Sequence, residues 1–536
     1  MTSMTRRAWL KHLGALSSLG AAAPLGLSLS AIGQSAKASG AGDYKALVCI
    51  FMYGGNDAFN TVLTTDADNW AHYQRQRNSG IRGGAAGDTS LAYLAAGTPV
   101  DPQAAACSPE RLGGVLPIDH TARAAQAHVG TRSFALHPLL QRTQDLYGQG
   151  QLAVLANVGP LVRPTSKADF ANDAMPKPAK LFSHNDQQST WQTLGPEGST
   201  AGWGGRMADL LMSGNGLTQP LATPLLQRSF TCLSPSGNSV WLAGEQVLPF
   251  VTSVDNVPAL GGADALLGQA GVRNLLTRVM TTSSSRHVLA QDYQSVVQRA
   301  LAAEAVIQQA LAPVNSSVGD TPWASAGGAN PWADPLLKYV APADGQLRTN
   351  YLAMQLQMVA RLIDTNRRGN LGMRRQVFMV MHPAYDHHDR QLVEHADRMA
   401  QLDHALGYFN DVLARMPGGD LRSQVTTFTS SEFGRTLTNN GDGTDHGWGS
   451  HHLIMGGAVQ GGDVYGRYPQ LATADAQGVF DSPELLSNGV MLPSTSVEQY
   501  AYTLGRWMGV SSSDLRDVLP NLSRFDSDKH DLGFMG

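Results

Sequence analysis

Four short runs of almost unbroken apolar residues punctuate the chain: 45–53 (KALVCIFMY), 152–158 (LAVLANV), 376–381 (QVFMVM) and the β-branched 424–430 (QVTTFTS). Runs of this length without polar alternation describe strands covered on both faces. Between them the period changes to that of helices. Residues 286–312 place Leu289, Tyr293, Val296, Ala300 and Ile307 on one face, and 347–363 repeat the spacing. A third helix begins at Gln391, carries Leu392, Ala396, Met399, Leu402, Leu406, Phe409, Leu413 and Met416, and stops at Pro417-Gly418-Gly419. This alternation predicts an α/β fold with a mostly parallel central sheet and helices on both faces. Residues 74–106, rich in Gly, Ala and Ser, and 286–366 read as loop and helical insertions in a single domain spanning 39–536.

Polar residues gather where the apolar runs end. Gly54-Gly55-Asn56-Asp57 follows the first, His382 to Asp389 (HPAYDHHD) follows the third, and Ser431-Glu432-Phe433-Gly434-Arg435 follows the fourth. Open α/β sheets collect their ligands at the carboxyl ends of strands, so Asp57, Asp386, His388 and Glu432 are expected to converge there. A glycine-rich loop then brings Asp445-His446, with His451-His452 close behind. Carboxylates and imidazoles in such density suit a divalent cation. Asp57 is equally well placed to form an Asx turn. Ser183, three residues before Asp186, begins a helix; it serves either as a cap or, beside a metal, as a nucleophile.

Composition narrows the partners. The 536 residues are 42% hydrophobic and 15% charged with a net charge of −4, which gives no electrostatic case for nucleic acid. Residues 1–38 read as an export signal. Arg6-Arg7 followed by Trp9, Leu10 and Lys11 resembles the twin-arginine motif, a weakly apolar stretch follows, and Ala36-Lys37-Ala38 offers a cleavage site. The expected location is therefore the periplasm or the medium, reached through the twin-arginine machinery, with no membrane span left after cleavage. Cys107 and Cys232 are available to pair in an oxidising compartment, while Cys49 lies in a strand. Trp191, Trp203 and Trp448 suit either a sugar cleft or the core.

The segments YGGNDAFN, YDHHDRQLVEHADRMAQLDHALGYF, SEFGRT…DHG and LPSTSVEQYAYTLGRWMGV…VLPNLSRF resemble the exported bacterial family called domain of unknown function 1501. That family is similar in turn to the alkaline phosphatase and sulfatase superfamily. The resemblance implies an alkaline phosphatase-like fold holding one or two divalent ions (Zn, Mg, Mn or Ca). Asp57 resembles the superfamily's first-strand metal carboxylate, Asp386 and His388 its Asp…His pair, Glu432 the aspartate of Ser-Asp-His-Gly, and His446 its final histidine. Phe433 departs from that pattern, since it stands where a histidine ligand is expected.

The function expected on these grounds is an exported metal-dependent hydrolase of phosphate or sulfate esters, acting on small molecules or polysaccharides. Ser183 attacks, Arg435 clamps the anion, and Asp445 orients His446. The alternative is a periplasmic or cell-surface binding protein that keeps the fold, and at most one metal, without turnover.

Overall fold

In the computed structural model the described residues are 44–78, 90–120, 132–215, 224–255, 278–282, 287–311, 314, 321–325, 330–369 and 371–536. Residues 1–38, expected to be an export signal, lie outside them. Nine strands among the described residues form the main sheet. They are β1 (Lys45–Met52), β2 (Leu152–Gly159), β3 (Cys232–Ser234), β4 (Phe250–Val251), β5 (Arg375–His382), β6 (Val425–Ser430), β7 (Ser450–Met455), β8 (Val464–Gly466) and β9 (Thr495–Ser496). Their order is β8-β2-β7-β6-β1-β5-β3-β4, with β9 also paired to β2. Pairing is parallel throughout except at β7, which runs antiparallel to both β6 and β2.

β1 is central, paired along almost its whole length with β5 and β6. Its residues from Ala46 to Phe51 are fully buried, so both faces are covered. Leu47, Cys49 and Phe51 join a core with Trp191, Trp203, Trp241, Tyr500 and Leu504. These come from helices α1 (His184–Thr193), α2 (Trp203–Leu211) and the C-terminal Val497–Met508, with Trp241 from a short turn of helix. The long helices Tyr351–Arg368 and Gln391–Ala414 pack on each other, and the first of them also packs on β5. The result is an α/β fold with a large, mostly parallel mixed sheet flanked by helices.

Several expectations change on contact with the structure. Residues 450–455 form a buried strand in which His451 and His452 are 1% and 0% exposed, so this pair belongs to the core. The helix Val288–Ala310 buries Ile307 as expected but turns Leu289, Tyr293 and Val296 to solvent and buries Val297 and Ala303 instead. Periodicity located that helix and misjudged its face, because two apolar stripes run along it. Trp191, Trp203 and Trp448 are all buried, and the three cysteines are free and buried. Among the described residues no helix is long and apolar enough to cross a membrane.

Candidate metal centre

The site is built where β1, β5 and β6 end side by side. Past β1 the chain turns through Gly54 and Gly55, at φ +116° and +85°, a region that side-chain-bearing residues avoid. Space excludes a side chain as well: a Cβ on Gly54 would lie 2.4 Å from the Asp386 nitrogen, and one on Gly55 2.4 Å from the Phe433 ring. The two glycines thus let the loops after β5 and β6 close over the end of β1. Ser431 stitches the loops together, donating to Met52 O (2.8 Å) and accepting from Asn56 N (3.0 Å).

In this crevice His184, Asp386 and His446 bring ligand atoms within 4.8 Å of one another. Asp386 is the hub. Its Oδ2 lies 3.3 Å from His184 Nε2, and its Oδ1 lies 3.0 Å from His388 Nε2 and 3.1 Å from His446 Nε2. Arg435, fully buried, donates from Nη1 to the same Oδ1 at 2.7 Å. Partial burial raises the Asp386 pKa, but the Arg435 hydrogen bond and charge outweigh it and hold the carboxyl down at about 2, so it is ionised. Asp386 and His388 remain 43% exposed, which leaves the site open to solvent on that side.

Two of the imidazoles are hydrogen-bonded at the other nitrogen, and the third has a carboxylate near it. His184 Nδ1 is 3.0 Å from Glu432 Oε1, His446 Nδ1 is 2.7 Å from the Phe182 carbonyl, and His388 Nδ1 is 3.4 Å from Asp445 Oδ1. An acceptor at Nδ1 fixes the proton there and turns a bare Nε2 toward the centre, the arrangement that orients metal-binding histidines. The Glu432 bond raises the His184 pKa, whereas burial lowers that of His446. The Phe182 carbonyl is delivered by a strained backbone: Phe182 sits at φ +72°, and Ala384, two residues before Asp386, at φ +71°. Strain of this kind concentrates at functional sites.

The expected residues therefore distribute as follows. Asp386, His388 and His446 come together. Glu432 is fully buried behind His184, and its Oε1 also accepts from Gly54 N (2.9 Å) and Gln188 Nε2 (3.0 Å). Asp445 faces His388 rather than His446. Asp57 has both oxygens engaged by Arg77, at 2.8 and 2.7 Å, and accepts a further bond from Gln391. Arg435 directs Nε to Thr444 Oγ1, Nη2 to the Thr444 carbonyl and Nη1 to Gly54 O and Asp386, so its donors point into the protein. Ser183 is the N-cap residue of α1, and its hydroxyl donates to Asp186 Oδ2 at 2.7 Å. Phe433 is a wall, its ring centroid 4.9 Å from that of His184 and 4.7 Å from that of His446.

His184 is the residue that sequence reasoning passed over. It stands next to Ser183 in a stretch already marked as polar, but its partner Glu432 lies 248 positions away. Only the fold makes that pair visible.

No curated protein matches the sequence. A solved structure, described as the crystal structure of Ps i-CgsB in complex with k-i-k-neocarrahexaose, aligns with 70% of this chain and 68% of its own at 8% identity and a TM-score of 0.26, a likeness too slight to bear on this protein. Residues 270–519, which contain Asp386, His388, Glu432 and His446, match the family model described as "Protein of unknown function (DUF1501)".

Proposed function

We propose that this protein is an exported, metal-dependent hydrolase of phosphate or sulfate esters, with an alkaline phosphatase-like active centre. The observation that carries the reading is the convergence of the His184, His388 and His446 Nε2 atoms on Asp386, with the His184 and His446 rings hydrogen-bonded from behind. In the apo protein these bare nitrogens face an ionised carboxylate at hydrogen-bond distance, an arrangement that a cation satisfies. Bound there, a divalent ion supplies Lewis-acid polarisation of an ester oxygen.

The protein's own groups do the rest. Arg435 keeps Asp386 ionised and fixed, Glu432 and the Phe182 carbonyl hold two rings in place, and Phe433 gives the site an apolar wall that excludes water from one side. His388 and Asp445 lie on the exposed edge of the centre, the side from which an ester and a water would reach it in this scheme. Attack by water fits this site better than attack by Ser183, whose hydroxyl is held by Asp186. The substrate is accordingly a small-molecule or polysaccharide ester that presents its anionic group at this open edge.

The test is metal analysis of the natively exported protein, with assays on aryl phosphate and aryl sulfate esters before and after chelation. Metal-dependent turnover retained in Ser183→Ala supports the scheme; loss of turnover in that variant, with metal kept, assigns the attack to the serine.

A second reading has one observation in its favour. The Arg435 donors are directed within the protein, so it offers no free guanidinium to an anion, as a binding protein without turnover allows. Bound metal with no hydrolysis of either ester class would favour it.

A further inference from the structure

We infer that the centre holds a single borderline ion of the zinc class in a set of three imidazoles and one carboxylate, and that Glu432 is a positioning residue acting through His184. The inference rests on the metal-centre reading above, and it fixes the ion's number and chemical class, which that reading leaves open.

The separations fit one ion. Ligand bonds of about 2.0–2.2 Å at a four-coordinate ion place neighbouring ligand atoms about 3.3–3.5 Å apart. Here His184 Nε2 lies 3.3 Å from Asp386 Oδ2, His388 Nε2 and His446 Nε2 lie 3.0 and 3.1 Å from Oδ1, and His388 Nε2 lies 3.0 Å from His446 Nε2. His184 Nε2 makes no hydrogen bond, although it is buried and faces Asp386. Arg435 occupies Asp386 Oδ1, which leaves Oδ2, on the His184 side, as the less committed oxygen. His184, Asp386 and His446 form the compact triad; His388, 43% exposed and beside Asp386 and His446, is what we assign as the fourth and most easily exchanged ligand.

The two buried carboxylates nearest the centre, Asp57 and Glu432, already have partners on at least one oxygen. Asp57 is neutralised by a bidentate, fully buried guanidinium. Glu432 Oε1 is occupied by three N–H groups, one of them on His184. Its Oε2 is buried and makes no hydrogen bond. The charge of Glu432 is thus turned toward the His184 imidazole, where it strengthens that ring as a donor to an ion. Phe433 fills the space beside both rings with an apolar side chain. Three nitrogens and one oxygen select zinc-class ions over Mg2+ or Ca2+, which prefer oxygen ligands.

The experiment is titration of the full, metal-free protein with Zn2+, Co2+ and Mg2+, read by stoichiometry, affinity and the visible spectrum of bound Co2+. One ion per chain is expected, with Zn2+ and Co2+ held far more tightly than Mg2+ and an intense four-coordinate Co2+ band. His184→Ala and His446→Ala should each lose tight binding. His388→Ala should keep one ion while weakening the Co2+ band. Glu432→Gln should keep one ion and the band but lose about 10–100-fold in affinity, the usual effect of an orienting partner.

Two ions in the parent and one in Glu432→Gln would make Glu432 a direct ligand and overturn the inference, as would preference for Mg2+. Circular dichroism on each variant separates lost binding from lost folding, and His388→Ala, on the exposed edge, remains informative if a buried substitution unfolds the chain. Ester hydrolysis is not part of this readout: one tightly held zinc-class ion without turnover would sustain the inference and sink the hydrolase reading.

Discussion

Asp57 and Arg77 form a bidentate ion pair with both side chains at 0% exposure, and Arg77 also donates to the carbonyl of Thr436, the residue after Arg435. Removing one partner of such a pair leaves the other charge buried and uncompensated, at a cost of about 3–5 kcal/mol. Asp57→Ala is therefore expected to lower stability by that order, with the metal content of the folded fraction unchanged. Arg77→Ala should behave alike, and the double variant should cost less than the two single effects added. Urea denaturation with parallel metal analysis checks this; loss of metal from a fully folded Asp57→Ala protein would return Asp57 to the ligand set.

The Asp57 case shows what the sequence makes legible. The four apolar runs become β1, β2, β5 and β6, and their polar ends do meet, because strand burial and the carboxyl-end rule depend on local pattern. Partner choice depends on distant residues. Nothing near Asp57 announces Arg77, which follows 20 positions later in a weakly amphipathic helix. His184 was hidden in the same way by its reliance on Glu432, and β7 by histidines that look like ligands and are core. Phe433 was visible as a departure from the family pattern, but its place beside two imidazoles was not.

The two glycines after β1 should respond differently to substitution. A methyl group on Gly54 collides with the backbone nitrogen of Asp386, which has nowhere to go; one on Gly55 meets the edge of a side chain, Phe433. Gly54→Ala is expected to destabilise the fold and disturb the centre with no single-site rescue. Gly55→Ala should be partly rescued by Phe433→Ala, which leaves only the strain of φ +85°. Thermal melts of the four variants decide it, and equal rescue of both glycine variants would show that the loop moves as a unit.

Cys49, Cys107 and Cys232 are free and buried, so no pairing of Cys107 with Cys232 is expected. Thiol titration should find three reactive groups in denaturant without reductant. The native protein should react slowly, because burial pushes all three thiols well above their usual pKa. A single reactive thiol in denaturant would mean that two of the cysteines pair in the mature protein.

Acid should destabilise the protein well above the carboxylate range. His382, His395, His451 and His452 are at most 2% exposed, and burial, the leading cause in each, lowers their pKa to about 3. In the unfolded chain each titrates near 6.5. A histidine whose pKa is depressed on folding stabilises the native state fully above the unfolded value, and this contribution is lost as pH falls from about 6.5 toward 3, while the unfolded state takes up protons that the native state refuses. Near pH 5, four such groups give a limiting slope of about 5 kcal/mol per pH unit. Glu498 acts in the opposite direction: burial raises its pKa to about 7, so it gains stability as pH falls, but it is one group against four. Urea midpoints measured between pH 7.5 and 4.5 should fall steeply, and His395→Gln should flatten the dependence by about one proton. A midpoint that held constant down to pH 4.5 would mean that these imidazoles accept protons inside the folded protein, and that the core around β7 admits water.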